Sequence, residues 1–132
     1  VTRNLTWNLK DPEKAYKSWY KVLRNGGKMI NFDANWYLHL FDDEKRREYE
    51  SDRKNVELSG MEDHYTCTDI DSMEDIARQL SKIQRPVWDK IVLDKIGFKN
   101  IQIDQNIWTK TWNEEEKLNY GSTPMFMIIG EK

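Results

Sequence analysis

The sequence predicts an α/β fold, a mixed sheet of about four strands covered by helices. Over residues 1–33, a short β-prone segment, a helix and an apolar strand follow one another, which is the pattern of a parallel βαβ crossover. Two further strands, at 98–104 and 125–129, have no room between them for a full crossover helix. We therefore expect these last two strands to pair antiparallel.

Length and composition limit the possible functions. The 132 residues suffice for one domain, and 12% aromatic content argues against disorder. A net charge of −2 argues against a general nucleic-acid binder, and no apolar run reaches membrane-span length. The single cysteine, Cys67, precludes an intrachain disulfide and fits a cytoplasmic location. Because the chain starts at Val1 without an initiator methionine, we expect it to be the inside of a longer protein.

The first helix is predicted by its start and stop signals. Asp11 followed by Pro12 is a typical N-cap and first helical position, and glycines at 26 and 27 suit a left-handed cap and a tight turn. Residues 29–33 then read as a short buried strand. The β-prone segment 1–7 before the helix reads as the end of another strand.

The middle of the chain, about 36–96, is predicted to be a helical insert. Opposite charges three and four residues apart over 42–55 favour a solvated helix that ends at Ser59-Gly60. A second helix is capped by Ser72 with Asp75 in the capping-box position, and its apolar face is Ile76, Ala77 and Leu80. A third opens at Arg85-Pro86 and closes at Gly97. Past the strand at 98–104, residues 107–112 are ambiguous and 114–119 suit one or two helical turns.

Several segments resemble one enzyme family. Leu23-Arg24-Asn25-Gly26-Gly27-Lys28-Met29 resembles the R-V-L-K-P-G-G stretch before the fifth strand of class I S-adenosylmethionine-dependent methyltransferases, with Asn25 in place of proline. Asn4-Leu5-Thr6-Trp7 with Asp11-Pro12 resembles the end of their fourth strand and the next helix. The runs N-F-D-A-N-W-Y, at 31–37, and S-T-P-M-F, at 122–126, resemble a bacterial subgroup that methylates small molecules.

The resemblance covers the whole chain but only the C-terminal half of the family domain. It implies a partial Rossmann-like methyltransferase fold with the family strands in the order 4-5-7-6, and S-adenosylmethionine as the cofactor of the parent protein. The glycine-rich loop and the ribose-binding acid of the family are absent from this sequence. We therefore expect the chain to be a fragment that is inactive alone, and nothing in it requires a metal.

Candidate site residues lie beyond the carboxyl ends of the first two strands, where open α/β sheets bind ligands. By resemblance, Asn4, Thr6 and Trp7 border the cofactor. Residues that face the methyl acceptor would be Asn35, Trp36, Tyr37 and Tyr65, and either Asp33 or His64 would be the base. The alternative is that Asn4 and Thr6 bond local backbone groups and that Trp7 and Trp36 belong to the core.

The remaining reactive residue types have simpler interpretations. His64 neighbours Asp63, Tyr65 and Cys67, but the spacing matches no zinc site, and such a run commonly decorates a loop. His39, between two leucines, is interpreted as structural, and Cys67 as an ordinary thiol.

Two functional hypotheses follow. The first is methyl transfer by the parent protein to an unidentified small-molecule acceptor. The second is a non-catalytic interaction module derived from a Rossmann-like domain. In both cases the strand ending near Thr6 would lack a neighbour on one side, so we expect a homo-oligomer, most simply a dimer, through that exposed edge. Neither nucleic acid nor membrane is an expected partner.

Overall fold

A four-stranded mixed sheet organises residues 1–65 and 81–132, the part of the chain that the computed structural model describes. Strand β1 (Thr2–Arg3) pairs in parallel with β2 (Lys28–Asp33). Strand β4 (Phe126–Glu131) runs antiparallel between β2 and β3 (Lys99–Asp104). The strand order is therefore β1-β2-β4-β3. This confirms the predicted order, including the parallel first pair and the antiparallel last pair.

Five helices and two short 3₁₀ turns surround the sheet in the described residues. The helices are α1 (Pro12–Val22), α2 (Asp43–Ser59), α3 (Val87–Ile96), α4 (Trp108–Thr111) and α5 (Glu114–Tyr120). The 3₁₀ turns are Thr6–Asn8 and Leu38–Leu40. The ambiguous stretch before Trp112 is thus a single helical turn. The predicted helix around Ser72, Asp75, Ile76, Ala77 and Leu80, and the thiol Cys67, lie outside the described residues.

Backbone geometry confirms the predicted start of α1 and the predicted ends of α2 and α3. The Asp11 carboxylate accepts a hydrogen bond from the Lys14 amide at 2.8 Å, which caps α1. Helices α2 and α3 end at Gly60 and Gly97, whose φ angles of 71° and 110° lie in the left-handed region that glycine tolerates. The predicted glycine cap of α1 is wrong, because this helix ends at Val22 with the extended Leu23 as its C-cap, and Gly26, with a φ of 73°, lies in the turn beyond it.

The apolar core lies between the sheet and the pair α1 and α3. Its fully buried members include Tyr16, Leu93 and Ile128, and Phe98 and Phe126 are nearly as enclosed. Residues 29, 31 and 33 of β2 all point into this side of the sheet, but only Met29 is apolar. The core therefore becomes polar toward the carboxyl end of β2.

None of the helices in the described ranges has both the length and the apolar character needed to cross a membrane.

Candidate functional site

The carboxyl ends of β1 and β2 bring two distant segments together. The backbone at Asn4 takes a positive φ of 52°, and its amide donates to the Phe32 carbonyl at 2.9 Å. Because asparagine tolerates this left-handed conformation, the chain turns directly from β1 into the first 3₁₀ turn. Residues 4–8 consequently lie beside residues 34–37, which follow β2.

Asp33, at the end of β2, is fully buried and saturated with donors. Its carboxylate accepts from the Trp7 and Ala34 amides, each at 2.9 Å, and from the Trp36 indole at 3.3 Å. The Thr6 hydroxyl and the Arg85 guanidinium, the latter at 3.1 Å, complete the set. These bonds hold the backbone of Trp7, which follows β1, and the indole ring of Trp36, which follows β2.

Arg85 connects Asp33 to a second buried acid, Asp89. Both carboxylates are fully buried, and the guanidinium lies 3.1 Å from Asp33 and 2.7 Å from Asp89. Burial opposes its charge, but the hydrogen bonds and charge of Asp89, together with Asp33, hold the pKa of Arg85 above its usual value. Burial, reinforced by the charge of Asp89, raises the pKa of Tyr16, whose hydroxyl donates to Asp89 at 2.6 Å. This network forms a rigid floor beneath the carboxyl edge of the sheet.

A cavity of about 220 Å³, here called the aromatic pocket, adjoins this network through Trp7 and Trp36, which Asp33 holds. Among the described residues, its lining consists of six aromatic rings and one amide, from Asn4, Trp7, Trp36, Tyr37, His64, Tyr65 and Tyr120. Six of these seven residues are site residues predicted from the sequence. They come from three separate segments, and Tyr120 adds a fourth at the end of α5.

The loop 61–65, which carries His64 and Tyr65, is fastened to α5 by Asn119. The fully buried Asn119 amide donates to the Glu62 carbonyl at 3.0 Å, and its carbonyl oxygen accepts from the His64 amide at 3.0 Å. Arg53 on α2 reinforces this attachment by bonding both Asp63 and Asn119. Its guanidinium carbon also lies 4.6 Å from the centre of the Tyr65 ring. The loop therefore holds a defined position against the pocket.

Both ring nitrogens of His64 have partners. Nδ1 lies 2.7 Å from the Tyr120 hydroxyl oxygen, and Nε2 lies 3.1 Å from a Glu115 carboxylate oxygen. An ionised carboxylate can only accept, so neutral His64 carries its hydrogen on Nε2. Nδ1 then accepts from the Tyr120 hydroxyl. The three side chains form a directed chain of hydrogen bonds from the pocket toward solvent.

Two tyrosines of the pocket, Tyr65 and Tyr120, remain neutral at ordinary pH. Burial raises the pKa of Tyr65, although the Thr123 hydroxyl 3.4 Å away and the charge of Arg53 oppose this. Burial, with the charge of Glu116, raises the pKa of Tyr120. Each hydroxyl therefore keeps its proton and can donate it in a hydrogen bond.

Donor atoms of Glu62, His64 and Glu115 lie within 4.8 Å of one another. Two of these residues are exposed, and both His64 nitrogens are already hydrogen-bonded. Exposed carboxylates commonly gather without an ion, so we assign no ion to this group. Its relevance is the negative charge that it places beside the pocket.

The other three predicted site residues lie elsewhere. Thr6 and Asp33 belong to the buried floor and do not line the pocket. Asn35 lines a neighbouring cavity of about 220 Å³ with Ser122, Thr123 and Lys45. The two proposals for a base are thus separated by the structure, because Asp33 is enclosed by donors and His64 faces the pocket.

Sequence reasoning missed Tyr120, Glu115 and Arg85. Tyr120 and Glu115 lie on the helix Glu114–Tyr120, for which the sequence predicts only one or two turns over 114–119 and no functional role. Arg85 precedes a proline and was interpreted as a helix start. A buried partner for Asp33 could have been sought among the basic residues at helix ends, but nothing local identifies which one.

Comparison with known proteins finds similarity among solved structures. No family model matches the sequence, and no curated protein matches it. Among solved structures, the chain is similar to phospholethanolamine N-methyltransferase 2 from Haemonchus contortus, in complex with phosphomonomethylethanolamine and S-adenosylhomocysteine. The TM-score is 0.50 at 13% identity, over 100% of this chain and 33% of that one. At this identity the likeness shows the fold alone, a Rossmann-like α/β sheet with flanking helices. The chain spans about a third of the length of that protein.

Proposed function

We propose that the chain is the C-terminal, acceptor-side half of an S-adenosylmethionine-dependent methyltransferase that acts on a small molecule. The observation that carries this proposal is the aromatic pocket, where residues 4, 7, 36, 37, 64 and 65 converge at the carboxyl end of two parallel strands. Ligands of such sheets bind at that edge. The bacterial small-molecule subgroup and a cytoplasmic location complete the proposal.

The pocket suits the chemistry of methyl transfer. When bound, S-adenosylmethionine supplies an electrophilic methyl group on a sulfonium, and the reaction is an in-line displacement that depends on alignment and on excluding water. Asn4 and Trp7, at one side of the pocket, would contact this cofactor. Fixed aromatic walls would orient the acceptor, and π-faces tolerate the positive charge of the sulfonium.

His64 is the better candidate for the base. Its imidazole reaches the pocket through Tyr120, whereas Asp33 has every described approach filled by a hydrogen-bond donor. We assign Asp33 and Thr6 the task of holding Trp7 and Trp36 in place. Asn35 would contact the methyl acceptor from the neighbouring cavity.

Calorimetry with S-adenosylmethionine tests the proposal on two proteins. The chain alone should bind weakly or not at all, because the glycine-rich loop and ribose-binding acid are missing. The full-length parent should bind, and it should transfer labelled methyl groups to a member of a mixed amine, thiol and phenol panel. A parent that neither binds the cofactor nor methylates any panel member would contradict the proposal.

A second function, self-association, is favoured by a specific surface. Beside β1, a groove of about 290 Å³ is lined by Val1, Trp19, Val22, Leu23 and Met29. Val1 and Val22 are 89% and 83% exposed. An open strand edge next to an apolar groove is a template for a second copy of the chain. This groove supports a homo-oligomer. Self-association would also be the function of the chain under the alternative hypothesis, a non-catalytic interaction module.

A further inference from the structure

We propose that the aromatic pocket binds a cationic amine, and that Tyr120 and His64 remove its proton before methyl transfer. This inference rests on the proposed function and deepens it by naming the acceptor class. It depends on three features of the pocket: its ring walls, the charges around it and the hydrogen-bond chain that leads out of it.

The walls of the pocket present π-faces and edges at several angles. Trp36 meets Tyr120 with ring centroids 5.2 Å apart and planes at 79°, and Tyr65 meets Tyr120 at 5.8 Å and 70°. Trp7 lies 5.5 Å from Tyr37 at 51°. Rings arranged at such angles surround a small ligand with the negative faces that attract alkylammonium groups.

The charges around the pocket favour a cation. Among the residues that the structure describes, none of those lining the pocket is a lysine or arginine. The nearby arginines each have an acidic partner, in the pairs Arg3–Glu116 and Arg53–Asp63. Glu62 and Glu115 remain, close to one another beside His64. The lining residues described offer an anionic head group no counter-charge, and the carboxylates of Glu62 and Glu115, which do not line the pocket, place negative charge next to its His64.

The hydrogen-bond chain supplies the proton transfer that an amine needs. An ammonium has no lone pair, so it must lose a proton before its nitrogen can attack a methyl group. The proton passes to the Tyr120 oxygen as Tyr120 gives its own proton to His64 Nδ1. The resulting imidazolium pairs with Glu115. The amine lone pair then forms the N–C bond, and the S–C bond electrons stay on sulfur.

Choline and dimethylbutanol, its uncharged carbon isostere, provide a matched pair of probes. We would titrate each into the 132-residue chain and follow the indole N–H signals of Trp7 and Trp36 by NMR. Choline should bind about tenfold more tightly than dimethylbutanol, as expected for a cation on aromatic faces. Trp36→Leu or Trp7→Leu should abolish the preference. Trp19→Leu, in the groove at the opposite end of the sheet, should preserve it.

Equal affinity for the two probes would overturn the amine assignment. So would a preference for choline that survives both pocket variants. Neither result affects the binding of S-adenosylmethionine to the parent protein, so failure of this inference is distinguishable from failure of the proposed function.

Nitrogen chemical shifts of His64 test the proton path separately. At a pH where the imidazole is neutral, the Nε2–H tautomer should dominate. Glu115→Gln should reduce that dominance, while Tyr120→Phe should change the Nδ1 shift and leave choline binding within about twofold, because its ring is retained. In the parent protein, Tyr120→Phe should lower kcat more than it raises KM. A dominant Nδ1–H tautomer, or unaltered kcat in Tyr120→Phe, would contradict the path.

Discussion

His39 shows how burial sets the charge state of a single side chain. Its imidazole is 4% exposed and stacks on Tyr49 with centroids 4.0 Å apart, and Nδ1 has no hydrogen-bond partner within residues 1–65 and 81–132. Burial, followed by the charges of Arg46 and Arg53, lowers the pKa of His39 to about 4. The interpretation of this histidine as structural agrees with its position, since it is neutral and packed behind the pocket.

The pKa of His39 predicts loss of stability in acid. Because the folded pKa is about 4 and the usual value is 6.5, the unfolded chain takes up this proton first as the pH falls. Stability from this group is complete above pH 6.5 and is lost between pH 6.5 and 4, by about 3 kcal/mol at most. Urea titrations across this range should show a smaller decrease in His39→Gln than in the unaltered chain. An identical decrease would refute the assignment.

Arg85 is expected to dominate stability among the charged residues. Arg85→Met would leave the carboxylates of Asp33 and Asp89 buried without their cation, which costs about 3–5 kcal/mol in comparable pairs. Arg47→Met, at an exposed position of α2, should cost less than about 1 kcal/mol. Urea denaturation measures both variants. Equal losses of unfolding free energy in the two variants would show that the buried ion pairs of Arg85 stabilise the fold no more than an exposed arginine does.

At the scale of elements, Asn119 is the point where α5 holds the loop 61–65. One side chain satisfies backbone groups of both Glu62 and His64. A helix without this residue would have the same length and capping box, but it would not orient His64 toward Glu115 and Tyr120. The position of His64 in the aromatic pocket therefore depends on Asn119, which is not among the residues that line the pocket.

Asn119→Ala should release the loop while preserving the helix. Alanine favours the helical conformation, but the His64 amide and the Glu62 carbonyl lose their partners. We expect faster hydrogen exchange at the His64 and Tyr65 amides and a stability loss of about 1–3 kcal/mol. Asn106→Ala, at an exposed turn, is the control and should change neither. Unaltered exchange at the His64 amide would show that another contact holds the loop.

At the scale of the whole molecule, the described sheet has two edge strands, β1 and β3. Its two central strands have neighbours on both sides, while β1 pairs only with β2 among the described strands. The apolar groove lies along this open edge. A second copy of the chain would cover apolar surface that water otherwise contacts.

Light scattering over a concentration series measures this assembly. We expect a dimer that Val22→Lys weakens at least about tenfold, because a charged side chain would enter the buried groove. Leu58→Lys is a matched control, since Leu58 is 76% exposed on α2 and lies outside the groove. A chain that stays monomeric at high concentration would show that the edge needs no partner.

Local chemistry in the sequence was sufficient to predict most of the fold. Helix caps at Asp11, Gly60 and Gly97 act within one turn, and the crossover and the antiparallel pair follow from segment lengths. The strand order came from the family resemblance, and the sheet confirms it. The caps and connections are predictable from the residues themselves because each depends on neighbours in the chain.

Which predicted residues share a pocket was decided only by the tertiary structure. Asp33 and Thr6 look like exposed site residues in the sequence, yet Arg85, 52 positions beyond Asp33, encloses them in a buried network. Tyr120, 56 positions after His64, converts a loop histidine into the middle of a proton path. Such contacts join residues with no local relation in the chain, and burial and hydrogen-bond satisfaction, which act in three dimensions, select them.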